Sequence, residues 1–142
     1  MAIVLKYGSS RFSDAAVIRT KVFMEEQGYE DEFDDIDKTC IHVVAYNNDT
    51  PVGCARVFPE ANDSSRFVIG RVAVLPEARE RGIGRMLVEL CEKAALEQDA
   101  HEMALHAQAR LESWYQSMGY RRFGDVDYED EGQPHVWMEK YF

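Results

Sequence analysis

The segment Val72-Ala-Val-Leu-Pro-Glu-Ala-Arg-Glu-Arg-Gly-Ile-Gly-Arg-Met-Leu87 constrains the fold more than any other part of the chain. An apolar run that reads as a buried strand enters a loop bearing Arg79, Arg81, Gly82, Gly84 and Arg85, and the loop leads directly into a helix. Ile83, Met86, Leu87, Leu90, Cys91 and Ala94 recur with helical spacing, the apolar stripe of a helix over residues 82–98 that lies on a sheet. Glycines let such a loop turn tightly. The following helix start presents unpaired N–H groups and the positive end of its dipole, and three arginines add charge of the same sign. The loop therefore reads as an anion site, against the simpler alternative of a tight turn with solvated arginines. It is not a dinucleotide fingerprint, because Leu87 stands where the third glycine belongs, and no G-K-[ST] marks a P-loop.

Around this segment strands and helices alternate. Residues 2–7 read as a strand. Ser13 is placed to cap a helix reaching about Gln27, with Gly28 to stop it. Residues 28–38 form an acidic loop or short helix. Strands 40–47 and 52–58 make a hairpin about Asn47-Asn-Asp-Thr-Pro51, closed by Pro59, and a long strand runs from Arg66 to Leu75. Strand 102–107, helix 109–118, strand 119–127 and strand 134–140 complete the chain. The order predicts an α/β (α+β) fold with a mixed sheet rather than a doubly wound parallel one. With 142 residues and no repeat or linker, residues 1–142 read as a single domain.

Charge sets further bounds. The chain carries 26 acidic and 16 basic residues, net −10, which disfavours nucleic acid and anionic membrane as partners. The acids are concentrated: 25–37 and 125–131 hold 13 of the 26 and no Lys or Arg, so the rest sets 16 bases against 13 acids. Three cysteines without C-x-x-C spacing indicate neither a disulfide framework nor a zinc site, and four scattered histidines give no metal pattern. No signal-peptide core or membrane-length apolar run is present, so the expected location is cytoplasmic.

Arg79-x-x-Gly82-x-Gly84, preceded by Ile69-Gly-Arg-Val-Ala-Val-Leu-Pro76, resembles the acetyl-CoA-binding motif of the GNAT superfamily of N-acetyltransferases. Gln108, Trp114-Tyr115 and Met118-Gly119-Tyr120 resemble the family's downstream segment, with Gln where Asn is usual. Arg19-x-x-Val22-Phe23-Met-Glu-Glu26-Gln27-Gly28 and Pro134-His-Val-Trp-Met138 resemble the ElaA/YjcF-like branch. The resemblance, over about residues 11–140, implies a GNAT fold. That is a mixed, V-splayed sheet of about six to seven strands, flanked by about four helices, with acetyl-CoA between the fourth and fifth strands. It implies that Val74 and Leu75 pair with the pantetheine amides. Ala73, the stretch Arg79, Glu80, Arg81, Gly82, Ile83, Gly84, Arg85, and Gln108 would complete the cofactor site, with no metal. It also admits a homodimer.

Acetyl transfer to an amine needs a base, since an alkyl ammonium titrates near ~10, an oxyanion donor, and at most modest help for a thiolate leaving group of pKa near ~8.5. The resemblance places Tyr115 near the cofactor sulfur as the acid, against a plain core aromatic, and a backbone N–H at Val74 as the oxyanion donor. The family's usual fourth-strand glutamate is replaced by Arg71, so Glu26 is the candidate base or amine clamp, against a solvated charge. Gln27 could orient the acceptor. Arg56 and Arg71, mid-strand among apolar residues, demand either an acidic partner in the loop or an anionic group on the acceptor. His135 is a candidate substrate-facing residue, while His42 and His106 are either core histidines or site residues. The resulting expectation is direct acetyl transfer from acetyl-CoA to a primary amine of a small molecule. If both acidic segments rim the acceptor side, that amine is cationic. A non-catalytic CoA-binding sensor and a protein N-terminal or lysine acetyltransferase are the alternatives.

Overall fold

The computed structural model describes residues 2–142. Strands β1 (Ile3–Gly8), β2 (Ile41–Asn47), β3 (Thr50–Glu60), β4 (Asp63–Val74), β5 (Glu102–Gln108), β6 (Arg121–Arg122) and β7 (His135–Tyr141) form one sheet. Their order is β1-β2-β3-β4-β5-β7-β6. Neighbours are antiparallel except β4 and β5, which run parallel. Helices α1 (Phe12–Arg19), α2 (Ile83–Leu96) and α3 (Glu112–Gln116) cover it, supplemented by short 3-10 turns. Three α-helices thus stand where about four were expected.

The central strands are apolar on both faces because both faces are covered. Val43, Ala45, Ala55 and Val57 pack in the cluster that holds the α2 residues Ile83, Leu87, Val88 and Cys91. Val44, Tyr46 and Cys54 pack with Ile18, Val22 and Phe23 on the other side. Full burial of side chains such as Leu87 is worth about 1.5–3 kcal/mol each. Helix α2 comes close at Gly53, where a Cβ would lie 3.1 Å from Leu87 Cδ1 and 3.2 Å from the Ala73 carbonyl oxygen. Met86, expected on the apolar stripe, sits at its margin and is exposed. Asn48 and Asp49, at φ 48° and 71°, make the two-residue hairpin between β2 and β3.

Several local expectations are corrected. The 3-10 turn Ser9–Arg11 feeds the chain into α1 with Arg11 as N-cap and no side-chain cap, so Ser13 caps nothing. The first helix is α-helical only to Arg19. Over Thr20–Glu26 it widens into a π-helix, closed by Gly28 at φ 77°. The expected strand 119–127 shrinks to Arg121–Arg122 and a single bridge from Asp127 to His135, since the acidic residues beyond Gly124 are poor strand formers. Pro59 does not close β3, which continues to Glu60 across a register shift.

Two features of β4 open a cleft in the sheet. Its parallel pairing with β5 extends only from Arg66↔Glu102 to Ile69↔Leu105, after which the strands separate. Opposite this split β4 bulges against β3: Cys54 pairs with Ala73 but Arg56 with Gly70, and Arg71 adopts φ 54°.

The acidic loop is pinned by three arginines. Arg19, 1% exposed, donates to Glu32 at 2.8 Å and to Asp37 at 2.6 Å. Arg56 binds Asp34 at 2.7 Å and Asp37 at 2.9 Å, and Arg71 reaches Glu32 at 3.0 Å. Burial alone would raise the Asp37 carboxyl, but hydrogen bonds from Arg19 and the Asp34 N–H, with the charges of Arg19 and Arg56, lower it to about 2. Ionised Asp37 therefore stabilises the fold fully above the unfolded value of ~3.9, and that contribution is lost as pH falls through about 2. Asp37→Asn is expected to cost about 3–5 kcal/mol in urea unfolding at pH 7, with the gap to wild type narrowing towards pH 2. A loss below about 1 kcal/mol would show that the network is not a buried, coupled unit.

Candidate active site

Two cavities occupy the split between β4 and β5, and they share Phe23, Val72, Gln108, Leu111 and Tyr115 as a common wall. The larger, about 410 Å³, runs along the end of β4 to the loop before α2. The smaller, about 250 Å³, lies towards the acidic loop and the start of β7. Tyr115 is carried to the junction by α3, with its ring edge-on to Trp114 at 4.8 Å. Burial pushes its phenol above the ordinary value, so the hydroxyl keeps its proton and is available as a hydrogen-bond donor.

The larger cavity is lined by Ala73, Val74, Arg79, Glu80, Gly82, Ile83, Gly84, Arg85 and Gln108. Its two glycines are needed for different reasons. Gly82 is left-handed at φ 77°, as is Glu80 at φ 64°, which curls the loop back onto the start of α2. At Gly84 the constraint is space, since a Cβ would lie 3.1 Å from the Trp114 ring. Gly82 gives no side-chain cap, so the first-turn N–H groups of α2 remain available to an anion. Arg81 does not line this cavity.

At the end of β4 the Leu75 N–H donates to the Val52 carbonyl at 2.8 Å, and the Leu75 carbonyl accepts from the Ala78 N–H at 2.9 Å, so both Leu75 backbone groups already have partners within the fold. The antiparallel ladder alternates, so the Val74 peptide groups point the other way, into the split. The Val74 carbonyl accepts from Arg79 Nε at 2.9 Å. Arg79 also grips Glu26 at 2.6 and 2.9 Å. Those hydrogen bonds hold the Glu26 carboxyl below the usual carboxylate range, which makes it an anchor for the arginine and a weak base. Gln27, expected at the acceptor, lines the larger cavity and accepts from the Gln108 amide at 2.8 Å.

Arg56, Arg71 and His135 line the smaller cavity. The demand of the two arginines for counter-charge is met by Glu32, Asp34 and Asp37 of the acidic loop. His42 is a satisfied core histidine, fully buried, with Nε2 2.9 Å from the Asp37 carbonyl oxygen. Asp37, Cys40 and His42 place ligand-type atoms within 4.8 Å of one another, but Asp37 is already bound by two guanidinium groups. Burial raises the Cys40 and Cys54 thiols to about 11 and 12, so neither is poised as a nucleophile.

The two acidic segments do meet. Glu131 Oε1 accepts from the N–H groups of Glu30 and Asp31 at 2.7 and 2.8 Å, and Glu32 and Asp130 both line the smaller cavity. Phe23, Tyr29 and Trp137 were not singled out as cavity residues, since an aromatic residue with no chemistry-bearing spacing is not distinguished from core. Asp127 and Asp130 belong to the acidic segment expected at the acceptor side, and Asp127 pairs with His106 at 2.9 Å.

These features define a split-sheet cleft with two adjoining cavities, and comparison with known proteins names the class. Residues 9–142 match the acetyltransferase (GNAT) domain family, and the chain belongs to that family of acyltransferases. N-acetyltransferase YjcF of Bacillus subtilis (strain 168) is 30% identical over 142 residues, covering 99% of each chain. The crystal structure of Escherichia coli ElaA superposes with a TM-score of 0.86 at 28% identity, over 98% of this chain and 99% of that one. N-acetylglutamate synthase from Neisseria gonorrhoeae, complexed with coenzyme A and N-acetyl-glutamate, shares the fold. Its TM-score is 0.75 at 15% identity, over 99% of this chain and 35% of that one. Among the described residues no helix is long and apolar enough to cross a membrane.

The combined change Arg79→Ala and Gly82→Ala is expected to weaken coenzyme A binding by about tenfold or more, equivalent to ~1.4 kcal/mol, without loss of the folded state. Isothermal titration with a parallel melting curve checks this. Unchanged affinity would place the phosphates elsewhere.

Proposed function

We propose that this acyltransferase moves an acetyl group from acetyl-CoA to a primary amine of a small molecule, by direct attack in a ternary complex. The observation that carries the reading is the meeting of two cavities at Tyr115, in a sheet whose β4 and β5 separate at that point. The larger cavity offers what a pantetheine arm and a pyrophosphate require: a strand end with the Val74 peptide facing inward, then a left-handed loop and an uncapped helix start. A solved neighbour of the same fold contains coenzyme A. Arg79 would have to exchange the Val74 carbonyl, and at least part of its grip on Glu26, for the incoming ligand.

In this reading Val74, through its N–H, steadies the oxyanion at the thioester carbonyl. Tyr115, whose hydroxyl stays protonated, donates a hydrogen bond to the departing thiolate, and a thiolate of pKa near ~8.5 needs little more. The smaller cavity suits a metabolite better than a peptide. Its volume is about 250 Å³, and Glu131 ties the two loops at its rim together. Arg56 and Arg71 are matched by Glu32, Asp34 and Asp37, which leaves Asp130 as the wall carboxylate without an arginine. That favours a cationic amine.

The test is thiol release from acetyl-CoA across neutral and polycationic primary amines at low salt. Release with primary amines, fastest for the cationic ones, is expected, and Tyr115→Phe should lower kcat by about 10²-fold with coenzyme A affinity retained. Tight coenzyme A binding with no release for any amine would instead support a CoA-binding sensor.

A further inference from the structure

His135 opens β7 at the wall of the smaller cavity and is 2% exposed. Its Nδ1 lies 2.9 Å from the Gln133 carbonyl oxygen, which can only accept, so Nδ1 carries the hydrogen. The neutral ring therefore keeps its lone pair on Nε2. Nε2 lies 3.7 Å from Asp130 Oδ2, a carboxylate placed to receive the charge if that nitrogen takes a proton. The ring is also held from the side. It stacks on His106 at 4.8 Å, and His106 stacks on Trp137 at 4.8 Å. His106 Nε2 in turn contacts both oxygens of Asp127, at 2.9 and 3.0 Å. That hydrogen bond keeps Asp127 below the usual carboxylate range, so Asp127 is the acceptor and His106 the donor. The groups facing His135 are thus Asp127 and Asp130 from the loop before β7, His106 from β5, and across the cavity Arg56 and Arg71 with Glu32. Glu26, by contrast, lies in the larger cavity under Arg79.

We propose that His135 Nε2 is the base that deprotonates the acceptor amine, with Asp130 stabilising the resulting imidazolium and the stack on His106 fixing the ring. The proposal rests on the transferase reading above and supplies the one role that reading leaves unfilled. The acceptor ammonium gives one proton to Nε2, and the freed lone pair forms the C–N bond at the thioester carbonyl carbon. The C–S bond breaks with its electron pair on sulfur, steadied by the hydrogen bond from the Tyr115 hydroxyl. The second proton, shed by the acylated nitrogen, passes through that hydroxyl to the sulfur. His135 returns its proton to water, so an amine cation and a thioester yield an amide, a thiol and one released proton.

The experiment compares wild type with His135→Asn, whose side-chain amide can still donate to the Gln133 carbonyl. Thiol release with an amine of pKa near ~10 is followed from pH 7 to 10. At pH 7 the variant is expected to be slower by about 10²–10⁴-fold, with coenzyme A affinity unchanged, and its deficit should shrink as solution supplies free amine at higher pH. A deficit independent of pH would mark a merely structural residue and overturn the proposal. So would a pH-dependent deficit found in His106→Asn and absent from His135→Asn. Nitrogen NMR of the wild-type chain labelled at histidine gives a reading that does not depend on folding of the variant. Neutral His135 should be the Nδ1–H tautomer, and an Nε2–H tautomer would overturn the assignment. Wild-type rates in His135→Asn would remove only the base, whereas no transfer by wild type with any amine would remove the proposed function and this inference with it.

Discussion

Two guanidinium groups that leave water, with a third that leaves it in part, must be answered by carboxylates, and this requirement organises one side of the protein. A buried arginine costs several kcal/mol unless charge and hydrogen bonds compensate it. Arg19 comes from α1, Arg56 from β3 and Arg71 from the β4 bulge, yet all three pair with Glu32, Asp34 and Asp37 of a single loop. Arg19 also lies over the Phe33 ring at 4.7 Å. The loop is therefore folded back against the sheet, and its inner edge, with Tyr29 and Glu32, becomes a wall of the smaller cavity. Within a run of acids that looks solvated, Glu32 and Asp37 are buried counter-ions.

The split of β4 from β5 is the second constraint, and it joins the electrostatics to the chemistry. A parallel pair that separates after Ile69 and Leu105 leaves backbone facing a gap instead of a neighbour. The bulge at Arg71 resets which peptides face that gap, so that Val74 looks into it while Leu75 is tied to Val52. The helix that follows Gly82 supplies positive potential at one end of the gap. The acidic loops and paired histidines supply acceptors and negative charge at the other. One cleft thus has ends of opposite electrostatic character.

Much of this was legible in the chain because local periodicity was strong. Helix α2, the β2–β3 hairpin and the arginine–glycine loop each carry a pattern that survives folding unchanged. The first helix was less legible. A π-helical stretch differs from an α-helix by one residue per turn, and nothing in Thr20–Glu26 announces it, yet it sets where Phe23, Glu26 and Gln27 point. Which peptide faces the split was not legible, because it depends on a bulge between two strands. Strand 119–127 shortened to Arg121–Arg122 because the acidic residues beyond Gly124 are poor strand formers.

The sequence by itself determined that this is a mixed α/β layer with an arginine–glycine turn ahead of a helix, and its motifs marked Tyr115 and the Arg79–Arg85 loop. Those features are local: spacing, glycine placement and helix polarity are properties of contiguous residues. The tertiary structure alone decided that Glu26 anchors Arg79, that Arg56 and Arg71 are matched internally, and that His135 stands with its lone pair beside Asp130. Each of these depends on charges brought together from distant parts of the chain. A titratable side chain acquires its role from the partner it meets, and that partner is chosen by packing.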